Sequence, residues 1–272
     1  MFRPPYHVEL KDVPFPLTDM ELANQIARYD KENGDWAKRK VIPEIWHTDK
    51  SSYSYGAYGF VANLWIHNRD FSPAFLEWLD RNMMSPALVG TIFVSPPGYS
   101  LRPHIDYADY NINYYWRLNF PVGLEENEDK CMSFWDPSAC MMERRDRVNH
   151  PKMPHTDSMS LIEFDDATRP KVKKHFDTQM GKCSLVCVSG PDCAHSMIYD
   201  GEEETYTISI DFRDKRTGAR IHDWKAIEKR MGHHFVKEDR PSPIKAWVKE
   251  DGEFGWSRDV SCTILHVTKR HT

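Results

Sequence analysis

The 272-residue sequence has no apolar run approaching the ~18 residues of a spanning helix, and its opening MFRPPYHVELKDVPF has no basic segment leading into an apolar stretch. The expectation is a cytoplasmic chain with neither a membrane span nor a secretory signal. No charge sign dominates: 36 Lys plus Arg stand against 41 Asp plus Glu, a net charge of −5. Duplex nucleic acid is therefore not an expected partner, because phosphate contacts need a basic surface. The CxxC pair that anchors structural zinc is also missing. Its six cysteines, Cys131, Cys140, Cys183, Cys187, Cys193 and Cys262, read as reduced thiols. Cys183 and Cys187 lie inside the apolar stretch KCSLVCVSG, where a thiol acts as a small core residue. There is no internal repeat and no low-complexity tract. What is present is core material: 40% hydrophobic and 12% aromatic residues exclude disorder of the whole chain.

The first third reads as helix-bearing. Thr18-x-x-Glu21 is a capping box ahead of MELANQIARYDKEN, with a stop at Gly34. Ser72-Pro73 opens a second helix that carries Phe75, Leu76, Leu79 and Met83 on one face. From about Val89 the period changes to two. VGTIFVS, SLRPHIDY, NYYWRLNFPV, CMSFW, SLIEF, CSLVCVS, HSMIY and TYTISIDFR read as strands. Such a density of short strands predicts two packed antiparallel sheets or a barrel, the jelly-roll arrangement. Pro137 to Ser158 interrupts the series and reads as a long loop. Helix returns in HDWKAIEKRMG with Gly232 as its stop, and the tail KAWVKEDGEFGWSRDVSCTILHV reads as a peripheral hairpin. The expected class is thus mostly β with flanking helices (α+β), in one structural domain. Residues 1–88 form a helical or mixed support, 89–213 a β core, and 214–272 a helix-and-hairpin extension.

A strand sends alternate side chains to one side, so the His and Asp of an HxD triplet lie about 7 Å apart at Cα and can share a metal. Four triplets occur: His47/Asp49, His104/Asp106, His155/Asp157 and His175/Asp177. With 13 histidines in the chain the triplet alone decides nothing, and context must. His47/Asp49 precedes a Ser/Tyr/Gly-rich stretch, and His155/Asp157 lies beside Pro151 and Pro154 in an irregular segment. His175/Asp177 sits in the charged run KVKKHFDTQMGK, which reads as a solvated turn or short helix. Only His104/Asp106 follows a strand and the tight turn Pro96-Pro97-Gly98. The best third ligand is His195, which opens HSMIY after the turn Gly190-Pro191-Asp192.

Gly98-x-x-Leu101-x-Pro103-His104-x-Asp106, then Arg117-x-Asn119-x-Pro121, then His195-Ser196-Met197 with TYTISIDF downstream, resembles the iron(II)- and 2-oxoglutarate-dependent oxygenases of the double-stranded β-helix, or cupin-like, fold. The nearest group is that around the aspartyl/asparaginyl β-hydroxylases, and the resemblance covers roughly residues 89 to 213. It implies a two-histidine, one-carboxylate set at His104, Asp106 and His195 that binds iron(II) and leaves positions for 2-oxoglutarate and dioxygen. A carboxylate at Asp106 fills the position that halogenating relatives leave to chloride, which favours hydroxylation. Most relatives hold the distal carboxylate of 2-oxoglutarate with a basic residue about ten positions after the second histidine. Here that position is Thr205, and no basic residue occurs between His195 and Arg213. Some subfamilies, the Jumonji-C type among them, take the basic residue from an earlier strand. Arg117 is the expected substitute, able to grip a carboxylate bidentately, with Thr205 and Thr207 as hydroxyl partners.

Tyr107, Tyr110, Asn113 and Tyr115 crowd the connection after the metal pair, and Trp135 ends the next strand; these are the expected substrate-facing residues. Arg144, Arg145, Arg147 and Lys152 lie in the long segment, where Glu143, Asp146 and Asp157 dilute their charge, so a solvated loop is the expected role. The functional expectation is an oxygenase acting as a hydroxylase on an amino acid, a peptidyl side chain or a small metabolite. Two other readings stay open: a non-catalytic jelly-roll module whose aromatics stack on a carbohydrate or other ligand, and a metal-dependent cupin enzyme that does not use 2-oxoglutarate.

Overall fold

The period-two segments form strands in the computed structural model, which describes residues 4–18, 21, 64–66, 71–82, 90–95, 98, 100–106, 113–122, 130–140, 142–145, 161–165, 167–202, 205–211, 214, 216–217, 221–236, 241–251 and 253–258. In chain order the strands are β1 (His7–Glu9), β2 (Leu64–Ile66), β3 (Gly90–Ser95), β4 (Ser100–Ile105), β5 (Tyr115–Val122), β6 (Lys130–Asp136) and β7 (Met142–Arg145). They continue with β8 (Leu161–Phe164), β9 (Lys173–Gln179), β10 (Ser184–Ser189), β11 (Ala194–Tyr199), β12 (Thr205–Asp211), β13 (Ile244–Val248) and β14 (Phe254–Arg258). The helices among the described residues are α1 (Pro73–Arg81) and α2 (Trp224–Met231), joined by two short 3-10 turns. The described residues are mostly β-sheet with few helices. No helix among the described residues is long and apolar enough to cross a membrane.

Two six-stranded antiparallel sheets make the body, in the orders β1-β10-β5-β12-β3-β2 and β7-β8-β4-β11-β6-β9. From β3 to β6 the chain changes sheet at every strand, and it does so again from β9 to β12. Residues distant in sequence are thereby laid opposite one another. The eight segments read as strands all appear as such, and the two sheets hold four additions. A strand, β7, occupies part of the segment expected to be a loop between 137 and 158 and pairs with β8. Two short edge strands, β1 and β2, come from the region expected to be helical. The run around His175 is β9, not a turn or short helix. It lies at an edge of the second sheet with Phe176 opposite Phe134 and Asp177 opposite Ser133. An edge strand has one side in water, so the charges of KKHFDTQ do not prevent pairing there.

The helices cover the outer face of the first sheet. Ser72 caps α1, its hydroxyl accepting the Phe75 N–H at 3.3 Å, with Pro73 in the first turn. The helix buries Phe75, Trp78 and Leu79, and Phe75 meets Phe120 edge-on at 5.6 Å. Leu76 is half-buried beside them, and Met83 lies outside the described residues. Asp223 caps α2, Gly232 closes it, and its Trp224 packs 5.3 Å from Trp116. Of the first predicted helix, only the cap is described: the Glu21 N–H donates to Thr18 Oγ1 at 3.1 Å. The β13–β14 hairpin is less peripheral than expected. Ile244 and Ala246 close a second apolar cluster over Cys131, Trp135, Ala194 and Ile198 on the outer face of the second sheet.

This covering decides what β5 sends inward. Trp116, Leu118 and Phe120 are fully buried under the helices, and a buried Leu or Phe contributes roughly 1.5–3 kcal/mol. Strand alternation then turns Tyr115, Arg117 and Asn119 to the opposite face, between the sheets. On neighbouring β12, Ser209 pairs with Asn119 and donates its hydroxyl to Asn119 Oδ1 at 2.6 Å. The gap between the sheets is thus lined with polar groups that the apolar outer faces hold in place.

Candidate metal centre

His104 stands near the end of β4, and Asp106 lies one residue past it, where its N–H donates to the Val188 carbonyl of the other sheet at 3.1 Å. Antiparallel pairing of β4 with β11 sets His195 directly opposite His104, with ring centroids 4.3 Å apart. One ring nitrogen of His104, Nδ1, is 2.7 Å from the Arg102 carbonyl, which can only accept. Nδ1 therefore carries the hydrogen, and neutral His104 presents a lone pair at Nε2. That nitrogen lies 3.0 Å from Asp106 Oδ1, and His195 Nε2 lies 3.6 Å from the same oxygen. The ligand atoms of all three residues fall within 4.8 Å of one another.

Lone pairs gathered on one point in a buried place need a positive charge among them, a proton or a cation. The protonation states favour a cation. Burial would raise the Asp106 carboxyl, but the charge of His195, the hydrogen bond and charge of His104, and Arg117 outweigh it and hold the carboxyl well below the usual range. Burial, followed by the charge of His104, presses His195 down to about 3, against the pull of Asp106. At neutral pH the set therefore offers a carboxylate and an unprotonated imidazole, the forms a transition metal binds. His195 Nδ1 is buried without a hydrogen-bond partner among the described residues, so the ring gains its orientation from what Nε2 binds. The three residues fit a mononuclear metal, and the bond from His104 to the Arg102 carbonyl is the kind of support that orients a ligand ring.

No family model matches this chain, and no curated protein does. Among solved structures, a prolyl-4-hydroxylase from Pseudomonas putida matches with a TM-score of 0.25 at 12% identity, over 53% of this chain. The match spans 59% of that enzyme's chain. A likeness so slight says nothing of activity, and the chemistry has to come from the side chains.

Arg117 is buried between the sheets, with Nη1 3.9 Å from Asp106 Oδ2, Nη2 donating to the Ser209 carbonyl at 3.5 Å, and its guanidinium 5.7 Å from the Phe93 ring. It lies beside the carboxylate of Asp106, one of the three candidate ligands. Thr205 and Thr207 are both buried on β12. Thr205 donates its hydroxyl to the Val122 carbonyl at 2.9 Å, which leaves no hydrogen for an incoming carboxylate. Thr207 instead accepts from Lys130 Nζ at 2.9 Å.

The sequence reading missed Lys130. It opens β6 at 0% exposure and shares the inward face with Met132 and Phe134. Its amine donates to the Tyr206 carbonyl at 3.0 Å as well as to Thr207, and burial lowers its pKa to about 7. The available signal was the period-two placement of Lys130 with apolar residues on the inward face of a strand.

Tyr115 is buried on the same face as Arg117, and Asn113 is exposed just before β5. Tyr107 and Tyr110 lie outside the described residues. Trp135 is a correction. Phe134, not Trp135, is opposite His195, so the Trp135 ring points to the other face of the sheet, where its N–H donates to Ser196 Oγ at 2.9 Å beneath the hairpin. It cannot touch a ligand held by His195.

Among the other HxD triplets, His47/Asp49 and His155/Asp157 lie outside the described residues. His175 and Asp177 go to separate partners. Nε2 of His175 is 3.0 Å from the Asp192 carbonyl, while Asp177 accepts from Ser133 at 2.8 Å and Lys174 at 2.7 Å. Of the basic set in the long segment, Arg144 and Arg145 lie in β7, and Arg147 and Lys152 lie outside the described residues.

Proposed function

We propose that this protein is a non-haem iron(II)- and 2-oxoglutarate-dependent oxygenase, a hydroxylase of an amino acid, a peptidyl side chain or a small metabolite. The observation that carries the reading is the convergence of His104 Nε2, His195 Nε2 and Asp106 Oδ1 in a buried place beside the Arg117 guanidinium. Three ligands from one face leave positions for a chelating cosubstrate and dioxygen, the pattern of non-haem iron(II) oxygenases. The alternation of the chain between its two sheets fits a double-stranded β-helix spanning 89–213, supported by 1–88 and 214–272.

Iron(II), when bound, would supply the oxidative chemistry: decarboxylation of 2-oxoglutarate to succinate coupled to substrate hydroxylation. The chain's own share is placement. His104, fixed through the Arg102 carbonyl, and His195, fixed by register, set two ligand nitrogens, and Asp106 is held by its N–H to β10. His195 and His104 keep Asp106 ionised, with a smaller contribution from Arg117, which offers donors to the cosubstrate. Thr207 lines the gap further along β12, and Tyr115, buried on the same strand face as Arg117, is the aromatic we assign to substrate.

Anaerobic titration with iron(II) and 2-oxoglutarate tests the reading. A weak visible charge-transfer band that requires both additions and disappears in His104→Ala is the expected result. Absence of the band in folded, metal-loaded protein refutes it, and succinate formation separates this enzyme from a metal cupin that does not use 2-oxoglutarate.

A further inference from the structure

Two of the candidate ligands lean on one short segment, residues 188–195. Val188 is the extra residue of a bulge in β10, between the pairs Cys187 with Trp116 and Ser189 with Tyr115. A bulge re-aims the backbone of the residue it inserts. The Val188 carbonyl thereby reaches the second sheet, where it accepts the Asp106 N–H at 3.1 Å. The chain then turns from Gly190 to Cys193, whose N–H donates to the Gly190 carbonyl at 3.4 Å, and enters β11 at Ala194. His195 follows at once. One turn therefore joins the anchor of Asp106 to the backbone of His195.

Side chains from three other parts of the chain grip that turn at Asp192. Tyr114, just before β5, donates its hydroxyl to Asp192 Oδ1 at 2.7 Å. Tyr6, just before β1, donates to the Asp192 carbonyl at 3.2 Å, and Nε2 of His175 on β9 lies 3.0 Å from the same oxygen. Tyr114 also packs against Gly190, where a Cβ would stand 2.5 Å from its Cδ1. One tyrosine thus holds the turn at two points, Gly190 through its ring and Asp192 through its hydroxyl. Burial, then the hydrogen bond to Asp192 and the charge of Asp192, raise the Tyr114 phenol, so it remains a donor at neutral pH.

His195 depends on such support more than His104 does. The His104 ring is fixed by the Arg102 carbonyl, whereas His195 Nδ1 has no hydrogen-bond partner among the described residues. Strand β6 pairs regularly across His195, but the ladder to β4 shifts register between His195 and Met197, beside Pro103, which has no N–H to give. A working metal site tolerates only about 0.5 Å of error in ligand placement.

Resting on the metal centre of the oxygenase reading above, we propose that Tyr114 and Asp192 are a positioning pair: their hydrogen bond fixes the turn before β11 and so sets His195 Nε2 where it can share a metal with His104 and Asp106. Neither is a ligand. Tyr114 acts through Asp192, and Asp192 acts through the backbone that leads to His195.

The test is anaerobic titration of the full chain with cobalt(II), a spectroscopic stand-in for iron(II), against a competing chelator, reading affinity and ligand-field bands together. Tyr114→Phe keeps the ring against Gly190 and loses only the hydroxyl, while Asp192→Ala keeps the carbonyl that Tyr6 and His175 approach. Each should weaken cobalt by roughly tenfold or more and alter its bands. Asp192→Asn retains an oxygen acceptor for the tyrosine and should stay within about threefold of wild type. Ser72→Ala, a loss of helix capping away from the site, should bind cobalt as wild type does, which separates positioning from a general loss of stability. Wild-type affinity and bands in folded Tyr114→Phe or Asp192→Ala overturn the inference. So does Asp192→Asn weakened as far as Asp192→Ala, or Ser72→Ala weakened as far as either. Tyr114→Phe and Asp192→Ala break the same bond from opposite sides, so one decides where the other fails to fold. Normal cobalt binding with no 2-oxoglutarate band in the iron-loaded protein refutes the oxygenase reading and leaves this inference standing. Absence of stoichiometric cobalt binding by wild type, or binding undiminished in His104→Ala, removes the metal centre and this inference with it.

Discussion

Replacing Lys130 with methionine is expected to stabilise the cosubstrate-free protein near neutral pH and to flatten its stability against pH. The amine titrates near 10.5 when unfolded and near 7 in the folded protein. Between those values the unfolded chain holds a proton that the folded chain has shed. Wild-type stability therefore rises with pH across that window, by up to about 1.4 kcal/mol per pH unit. The full interval corresponds to roughly 5 kcal/mol of unfavourable burial. Methionine is of similar length and has no amine to desolvate, so it removes this cost. It also forfeits two hydrogen bonds, at about 1 kcal/mol each. A net gain of roughly 2–3 kcal/mol near pH 7 follows, shrinking as the pH rises toward 10.5. Urea denaturation of both proteins at about pH 7, 8 and 9 measures it, and the difference between the two curves cancels the other titrating groups. Parallel curves, or a variant less stable than wild type near neutrality, would refute the reasoning, because either would mean that the amine is already compensated.

Arg117→Ala should raise the 2-oxoglutarate requirement by roughly tenfold or more while iron(II) binding is largely retained; an unchanged requirement removes Arg117 from the cosubstrate site. Trp135→Phe loses the bond to Ser196 and should cost about 1 kcal/mol in a denaturant titration, with the substrate KM unchanged, since the indole lies on the far face. Ser72→Ala leaves the Phe75 N–H without its cap and should cost about 1 kcal/mol, seen as a fall in Tm of about 2–4 °C with activity intact.

Strand segments from 89 onward were legible because alternation with period two is local and repeated. TYTISIDF alternates polar and apolar residues, and Thr205, Thr207 and Ser209 are buried on the face between the sheets. The α1 cap was legible for a similar reason, as Ser72 and Pro73 act within one turn. His175 misled because KVKKHFDTQMGK resembles a solvated turn. Its strand character comes from β6, which supplies the hydrogen-bonding partners that the segment cannot supply for itself. Trp135 misled because the sequence gives alternation but not which face is inward; a shift of one residue reverses the assignment.

The candidate ligands show the same division. His104-x-Asp106 and the histidine opening HSMIY are covalent facts, and their spacing limits them to a shared strand face and a distant strand. That His195 stands opposite His104, so that three lone pairs converge, was decided by the pairing of β11 with β4, 91 residues apart at that point (195 − 104). Lys130 lies wholly on the tertiary side. Its sequence neighbours mark a strand, but its two hydrogen bonds come from residues 76 and 77 positions away, and its lowered basicity comes from burial between the sheets. Local sequence determines which backbone conformations and which chemical groups are available. Desolvation and the meeting of distant side chains arise only when the sheets close, because both depend on everything that displaces water around a group.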